Sequence, residues 1–198
     1  MNIAIFASGE GSNAAVIMKT LGSFIKKETA SLAVVISNNE KASVLNIAAD
    51  HNIPWEIILL KNKTDAQQTE AYFKLLEKYK IEFIVLAGYL KKLPKEITNA
   101  YPKKIINIHP ALLPAYGGAG MYGQFVHKAV ISAGETQSGI TVHYVDDVYD
   151  HGQIIFQVKC AVEKTDTAKD LSKKILGLEH KFYTEILAHT ILSQIPVK

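Results

Sequence analysis

The sequence predicts the α/β class: a mostly parallel sheet with helices on both faces. Short apolar runs alternate with longer amphipathic segments from the N-terminus to about residue 108. That rhythm is the signature of βαβ units. The apolar runs are also nearly continuous, as strands covered on both faces require.

The elements follow in order. Residues 3–6 form a first buried strand. Residues 13–24 form a helix, with Val16, Ile17, Leu21 and Phe24 at helical spacing. A second strand, residues 32–36, runs into the turn formers Ser37, Asn38 and Asn39. A helix over 42–50, a strand over 55–60 and a helix over 64–79 come next, the last opened by Thr64 as its cap. Strands over 83–87 and 104–108 complete the regular part. The rhythm then changes. A loop rich in glycine and proline covers 110–123, and 141–145 and 154–162 read as a strand pair, with antiparallel pairing left open. Residues 167–192 close the chain as a long helix with an expected break at Gly177.

At 198 residues the chain is long enough for one sizeable core, so a single domain over 1–198 is expected. Hydrophobic residues at 48% and charged residues at 21% are ordinary for a soluble globular protein. The net charge of +3 comes from dispersed lysines, which gives no footprint for nucleic acid and suits an anionic small molecule. Cys160 is alone and cannot form an internal disulfide. There is no basic leader and no apolar run of bilayer length, so the expected setting is cytoplasmic, with no membrane partner.

Two stretches carry candidate chemistry. Residues 7–13 (ASGEGSN) join the first strand to the first helix. Unpaired N–H groups at a helix N-terminus attract anions, and glycines allow close approach. A plain strand-to-helix turn with a Ser or Asn cap explains the same residues. Gly9 and Gly11 match only part of a dinucleotide fingerprint, which disfavours a dehydrogenase. The second stretch is Asn107, His109 and Pro110 at the end of a predicted strand, the edge where open parallel sheets bind ligands. Asn107 and His109 are two apart and share a face. Asn can polarise a carbonyl, and His moves protons near neutral pH. Asp150, in a turn-rich stretch, would orient His109 and raise its pKa. Taken singly, His109 reads better as a satisfied turn histidine and Asp150 as a turn former; together with Asn107 they have the parts acyl transfer needs.

The other histidines are less informative. His143 lies mid-strand, facing either the site or the core, and His151 reads as solvated. His51, His127, His180 and His189 read as surface residues on helices. No spacing suggests zinc, so no metal is expected. Glu179 is open between a ligand contact and solvent.

The motifs Ser8-Gly9-Glu10-Gly11-Ser12-Asn13, Leu86-Ala87-Gly88-Tyr89-Leu90, Asn107-Ile108-His109-Pro110 with Leu112-Leu113-Pro114, Gly139-Ile140-Thr141-Val142-His143-Tyr144-Val145 and Asp150-His151-Gly152 resemble, in order, the phosphoribosylglycinamide formyltransferases of purine biosynthesis. The resemblance implies a Rossmann-like formyltransferase fold. It also implies transfer of a formyl group from 10-formyltetrahydrofolate, a co-substrate, to the amine of phosphoribosylglycinamide. By the same resemblance Gly11, Ser12 and Asn13 hold the substrate phosphate, and Glu179 touches the glycinamide substrate. Leu90, Lys91, Lys92 and Leu93, with Asn107, line the folate pocket. Asn107 polarises the formyl oxygen, His109 is the proton donor, and Asp150 holds His109 and raises its pKa. The chain departs from the family at residues 116–123, a longer glycine loop. It departs again at Asp65, where the family often has a folate-contacting arginine; Lys61 and Lys63 are near. Alternatives are a formyltransferase for another amine acceptor, such as methionyl-tRNA or a nucleotide sugar, and a non-catalytic folate- or nucleotide-binding module. A homodimer is left open.

Overall fold

The strands of the computed structural model, which describes residues 1–195, are β1 (Asn2–Phe6), β2 (Ser31–Ser37), β3 (Trp55–Ile57), β4 (Phe83–Leu86), β5 (Ile105–His109), β6 (Gln137–Tyr144) and β7 (Ile154–Ala161). They form one seven-stranded sheet in the order β3-β2-β1-β4-β5-β6-β7. The first five are parallel, and β6 and β7 add to β5 antiparallel to their neighbours. Strand order reverses between β1 and β4, which opens a crevice at their C-terminal ends.

The helices are α1 (Ser12–Phe24), α2 (Val44–Asp50), α3 (Asp65–Lys78), α4 (Lys95–Ala100), α5 (Gln124–Ser132) and α6 (Ala168–Leu192). Alternation along β1 shows why both faces need cover. Ile3 and Ile5 belong to one apolar cluster with Ile17, Leu21, Val126, Leu171 and Leu187 of α1, α5 and α6. Ala4 and Phe6 belong to the other, with Tyr72, Leu76 and Ile97 of α3 and α4. All four β1 residues are fully buried. The buried Tyr183 hydroxyl of α6 donates to the Leu86 carbonyl at 2.8 Å, tying the last helix to the end of β4.

Thr64 caps α3 as predicted, within a capping box completed by Gln67. Several boundaries differ from expectation. The strand expected over 55–60 stops at Ile57, because β3 is an edge strand paired only with β2 and the chain leaves it after the Ile58 N–H donates to Ser37 O. The helix expected from residue 42 starts at Val44, since Asn39 first closes turns on Lys41 and Ala42. Strand β6 starts at Gln137, four residues early, since Gln137, Ser138 and Gly139 pair with Ala161, Cys160 and Lys159. Helix α6 runs unbroken through Gly177. One helical glycine costs only about 1 kcal/mol, and buried Leu171, Ile175, Tyr183 and Leu187 hold the helix on both sides of it. Helix α5 carries His127, which is expected on a helix, whereas α4 has no counterpart among the expected elements.

Candidate active site

A cavity of about 540 Å³ opens where the loops after β1, β4 and β5 meet the turn after β6 and the side of α6. That volume is in the range of small-molecule sites. Ser8 gathers the loops. Its hydroxyl donates to Asn38 Oδ1 at 2.6 Å and accepts the Leu90 N–H at 2.9 Å.

One end of the cavity is the start of α1. Ser12 and Asn13 line it. Gly11 is the N-cap at φ +75°, and no side chain caps the helix. A Cβ at Gly11 would collide with Val44. With no capping side chain and no acid in the first turn, the opening N–H groups stay available to an anion. Asn13 reaches across to α6, where its Nδ2 donates to Glu179 Oε2 at 2.9 Å. Glu179 is buried and lines the cavity rather than facing solvent. Burial pushes its carboxyl pKa up, and the Asn13 hydrogen bond opposes that.

The other end holds the polar cluster of β5 and β6. Antiparallel pairing sets His143 opposite Asn107 and Thr141 opposite His109. Asp150 comes from the turn after β6. Its Oδ2 lies 3.5 Å from His109 Nδ1 and its Oδ1 3.6 Å from His143 Nε2. The Gly118 N–H also donates to Oδ2, at 2.9 Å. Asp150 adopts φ +54°, a conformation Asp tolerates better than most residues. At Gly152 a Cβ would overlap the Tyr144 carbonyl, so the turn packs hard against the end of β6. Burial lowers the His109 pKa; the Asp150 carboxylate and the Tyr116 carbonyl oppose that and only partly offset it. The rise expected at His109 is not the net result: Asp150 acts in that direction, but burial outweighs it and the net shift is downward.

Leu90, Lys91, Lys92 and Leu93 all line the cavity; Leu93 is buried, whereas Leu90 is half exposed. Leu90, Tyr122, Val148 and Tyr149 are large exposed apolar residues on its rim, a surface suited to a flat ring system. Lys92 sits 5.7 Å over the Tyr149 ring and Lys95 pairs with Asp147 at 3.3 Å, linking the segment after β4 to the turn after β6. Lys61, Lys63 and Asp65 are not among the lining residues. The chain has no arginine, so lysines supply the cations at the mouth. Among the described residues, no group of three or more His, Cys, Asp or Glu is placed to hold a metal.

His143, left open between the site and the core, faces the site, as alternation along β6 from Thr141 indicates. Two further features differ from expectation. His127, expected on the surface, is buried on α5 and lines the cavity, because the α5 face bearing Val126 and Val130 packs inward. The Tyr116 carbonyl, in the glycine loop, lies 2.8 Å from His109 Nε2. His180 is half-buried on α6, also unlike the surface residue expected, whereas His51, His151 and His189 are exposed as expected.

The formyl transferase family model matches residues 1–187. A chloroplastic phosphoribosylglycinamide formyltransferase of Arabidopsis thaliana is 39% identical over 187 residues, 93% of this chain. The chain spans 63% of that plant protein's length. The phosphoribosylglycinamide formyltransferase of Bacillus subtilis is 38% identical over 189 residues, covering 93% of this chain and 91% of the relative. The crystal structure of phosphoribosylglycinamide formyltransferase from Bacillus halodurans superposes with a TM-score of 0.88 at 32% identity, covering 98% of this chain and 96% of that one. With the sheet order and the motifs at its C-terminal edge, these matches establish that the chain belongs to the formyl transferase family.

Proposed function

We propose that this chain transfers a formyl group from 10-formyltetrahydrofolate to the amine of phosphoribosylglycinamide, in purine biosynthesis, through one formyltransferase domain over residues 1–198. The observation that carries the proposal is that the uncapped start of α1 and the Asn107, His109 and Asp150 cluster open onto one cavity. A substrate with a phosphate at one end and an amine at the other spans such a site, and the likeness to the Bacillus subtilis enzyme supports that acceptor. The two clusters of apolar side chains on one continuous sheet support the single domain. The lone Cys160 supports a cytoplasmic setting.

In the reaction the amine nitrogen bonds to the formyl carbon, the bond from that carbon to the folate nitrogen breaks, and a proton passes from the attacking to the leaving nitrogen. Gly11, Ser12 and Asn13 hold the phosphate through the free end of α1. Glu179 holds the glycinamide portion. Leu90 to Leu93 and the apolar rim take the folate. Asn107 donates to the formyl oxygen, where charge builds. His109 gives its Nε2 proton to the leaving folate nitrogen and is restored by the proton the attacking amine sheds. The Tyr116 carbonyl, 2.8 Å away, can only accept, which supports a proton on Nε2. Asp150 then faces Nδ1 and favours the imidazolium from which the proton leaves.

A coupled absorbance assay with 10-formyltetrahydrofolate and phosphoribosylglycinamide tests this. Folate deformylation that depends on the acceptor is expected. No turnover with this acceptor, but turnover with methionyl-tRNA or an amino sugar nucleotide, would transfer the assignment to another formyltransferase; no turnover with any acceptor would leave a binding module.

A further inference from the structure

The His143 ring is engaged at both nitrogens. Its Nδ1 lies 2.8 Å from the Tyr144 carbonyl. A carbonyl only accepts, so Nδ1 carries the proton. The neutral ring then has a bare Nε2, and the Asn107 side-chain amide lies 3.2 Å from it. A bare imidazole nitrogen only accepts, so the Asn107 atom facing it is the NH2 group and not the oxygen. A backbone carbonyl of β6 thus sets, through one imidazole, which way the Asn107 amide is turned. His143 takes one of the two Nδ2 hydrogens and leaves the second for the cavity.

We propose that His143 is a positioning residue for formyl transfer, its neutral imidazole holding the Asn107 amide with the second Nδ2 hydrogen aimed at the formyl oxygen. This rests on the donor role proposed for Asn107. A proton on Nε2 would reverse the arrangement. The imidazolium would draw in the Asn107 oxygen, or turn to Asp150 Oδ1 at 3.6 Å, and the NH2 group would swing off the reacting oxygen. Four neighbours bias that proton. The Tyr144 carbonyl and the Asp150 and Asp146 carboxylates favour it, and His109 opposes it. Burial outweighs the favourable contributions and keeps the neutral, accepting form.

The test is a double-mutant cycle on kcat. Asn107→Ala and His143→Leu are each expected to lower kcat by about 100-fold, as for loss of one oxyanion donor, with KM for both substrates little changed. The double variant is expected to be no slower than Asn107→Ala alone, because His143 acts only through Asn107. His143→Gln, which retains an acceptor, should recover kcat to within roughly tenfold of the parent, and the acid side of its kcat profile should lose one ionisation. Multiplied losses in the double variant, or a Gln variant as slow as Leu, would overturn the inference. If His143→Leu does not fold, the Gln variant's pH profile decides: an acid side unchanged from the parent overturns it. A fully active Asn107→Ala would instead sink the Asn107 role itself, which keeps the two failures distinct.

Discussion

Asn13 and Glu179 are 166 positions apart and hydrogen-bonded at 2.9 Å, so the first and last helices meet across one end of the site. The carboxyl in that contact has its pKa raised by burial. Between its ordinary value of 4.5 and the raised value, the folded chain holds a proton that the unfolded chain has released. Stability therefore falls as pH rises through that window.

Glu179→Gln removes this cost while keeping an acceptor for Asn13. Thermal melting should show the variant more stable than the parent at pH 7, with the gap closed at pH 4. Its KM for phosphoribosylglycinamide should rise roughly tenfold, the worth of one charged hydrogen bond. A melting difference independent of pH would count against the buried carboxylate as its origin.

Gly11→Ala should both destabilise the fold and weaken the anion site. The left-handed conformation alone costs a residue with a Cβ about 1–2 kcal/mol, and the collision with Val44 adds to it. Urea unfolding should register at least that loss. Added inorganic phosphate should raise the melting temperature of the parent and raise that of the variant less. Equal stabilisation of both would argue that phosphate binds elsewhere.

His109→Ala should lower kcat by about 10²–10⁴-fold, the usual contribution of a positioned acid, with melting near that of the parent. Asp150→Asn removes the carboxylate that holds the His109 pKa up against burial. A proton donor is lost as pH rises through its pKa, so the alkaline fall of kcat should move to lower pH in this variant. An alkaline limb at the parent's pH would separate Asp150 from the proton step.

His127 is buried with its Nδ1 lacking a partner among the described residues. Burial, with His109 adding to it, lowers its pKa below 6.5. A lowered histidine means the unfolded chain takes up the proton first, so stability is present above 6.5 and is lost as pH falls through the folded value. His127→Leu removes that loss. Compared with the parent, it should gain in melting temperature between pH 8 and pH 5; a constant offset would mean that His127 does not titrate with unfolding.

The sequence by itself determined the layered architecture and the strand end that carries the candidate site residues. Continuous apolar runs such as those of β1 and β4 require cover on both faces, and amphipathic segments such as α3, with Thr64 as its cap, supply it. The two-residue spacing of Asn107 and His109 at a strand end placed both on the crevice side of β5, since strand alternation is local geometry. The same locality limited the reading. Helix α5 follows a glycine loop without a capping side chain, so nothing local announces its start or the inward face that buries His127. Gly177 read as a break because its cost is local, while the packing that outweighs it comes from strands and helices far away in sequence. Only the tertiary structure decided that Asp150 stands between His109 and His143, that Asn13 meets Glu179, and that the His143 ring lies between the Tyr144 carbonyl and the Asn107 amide. Those relationships depend on sheet register and on distances across loops, quantities that local residue patterns do not encode.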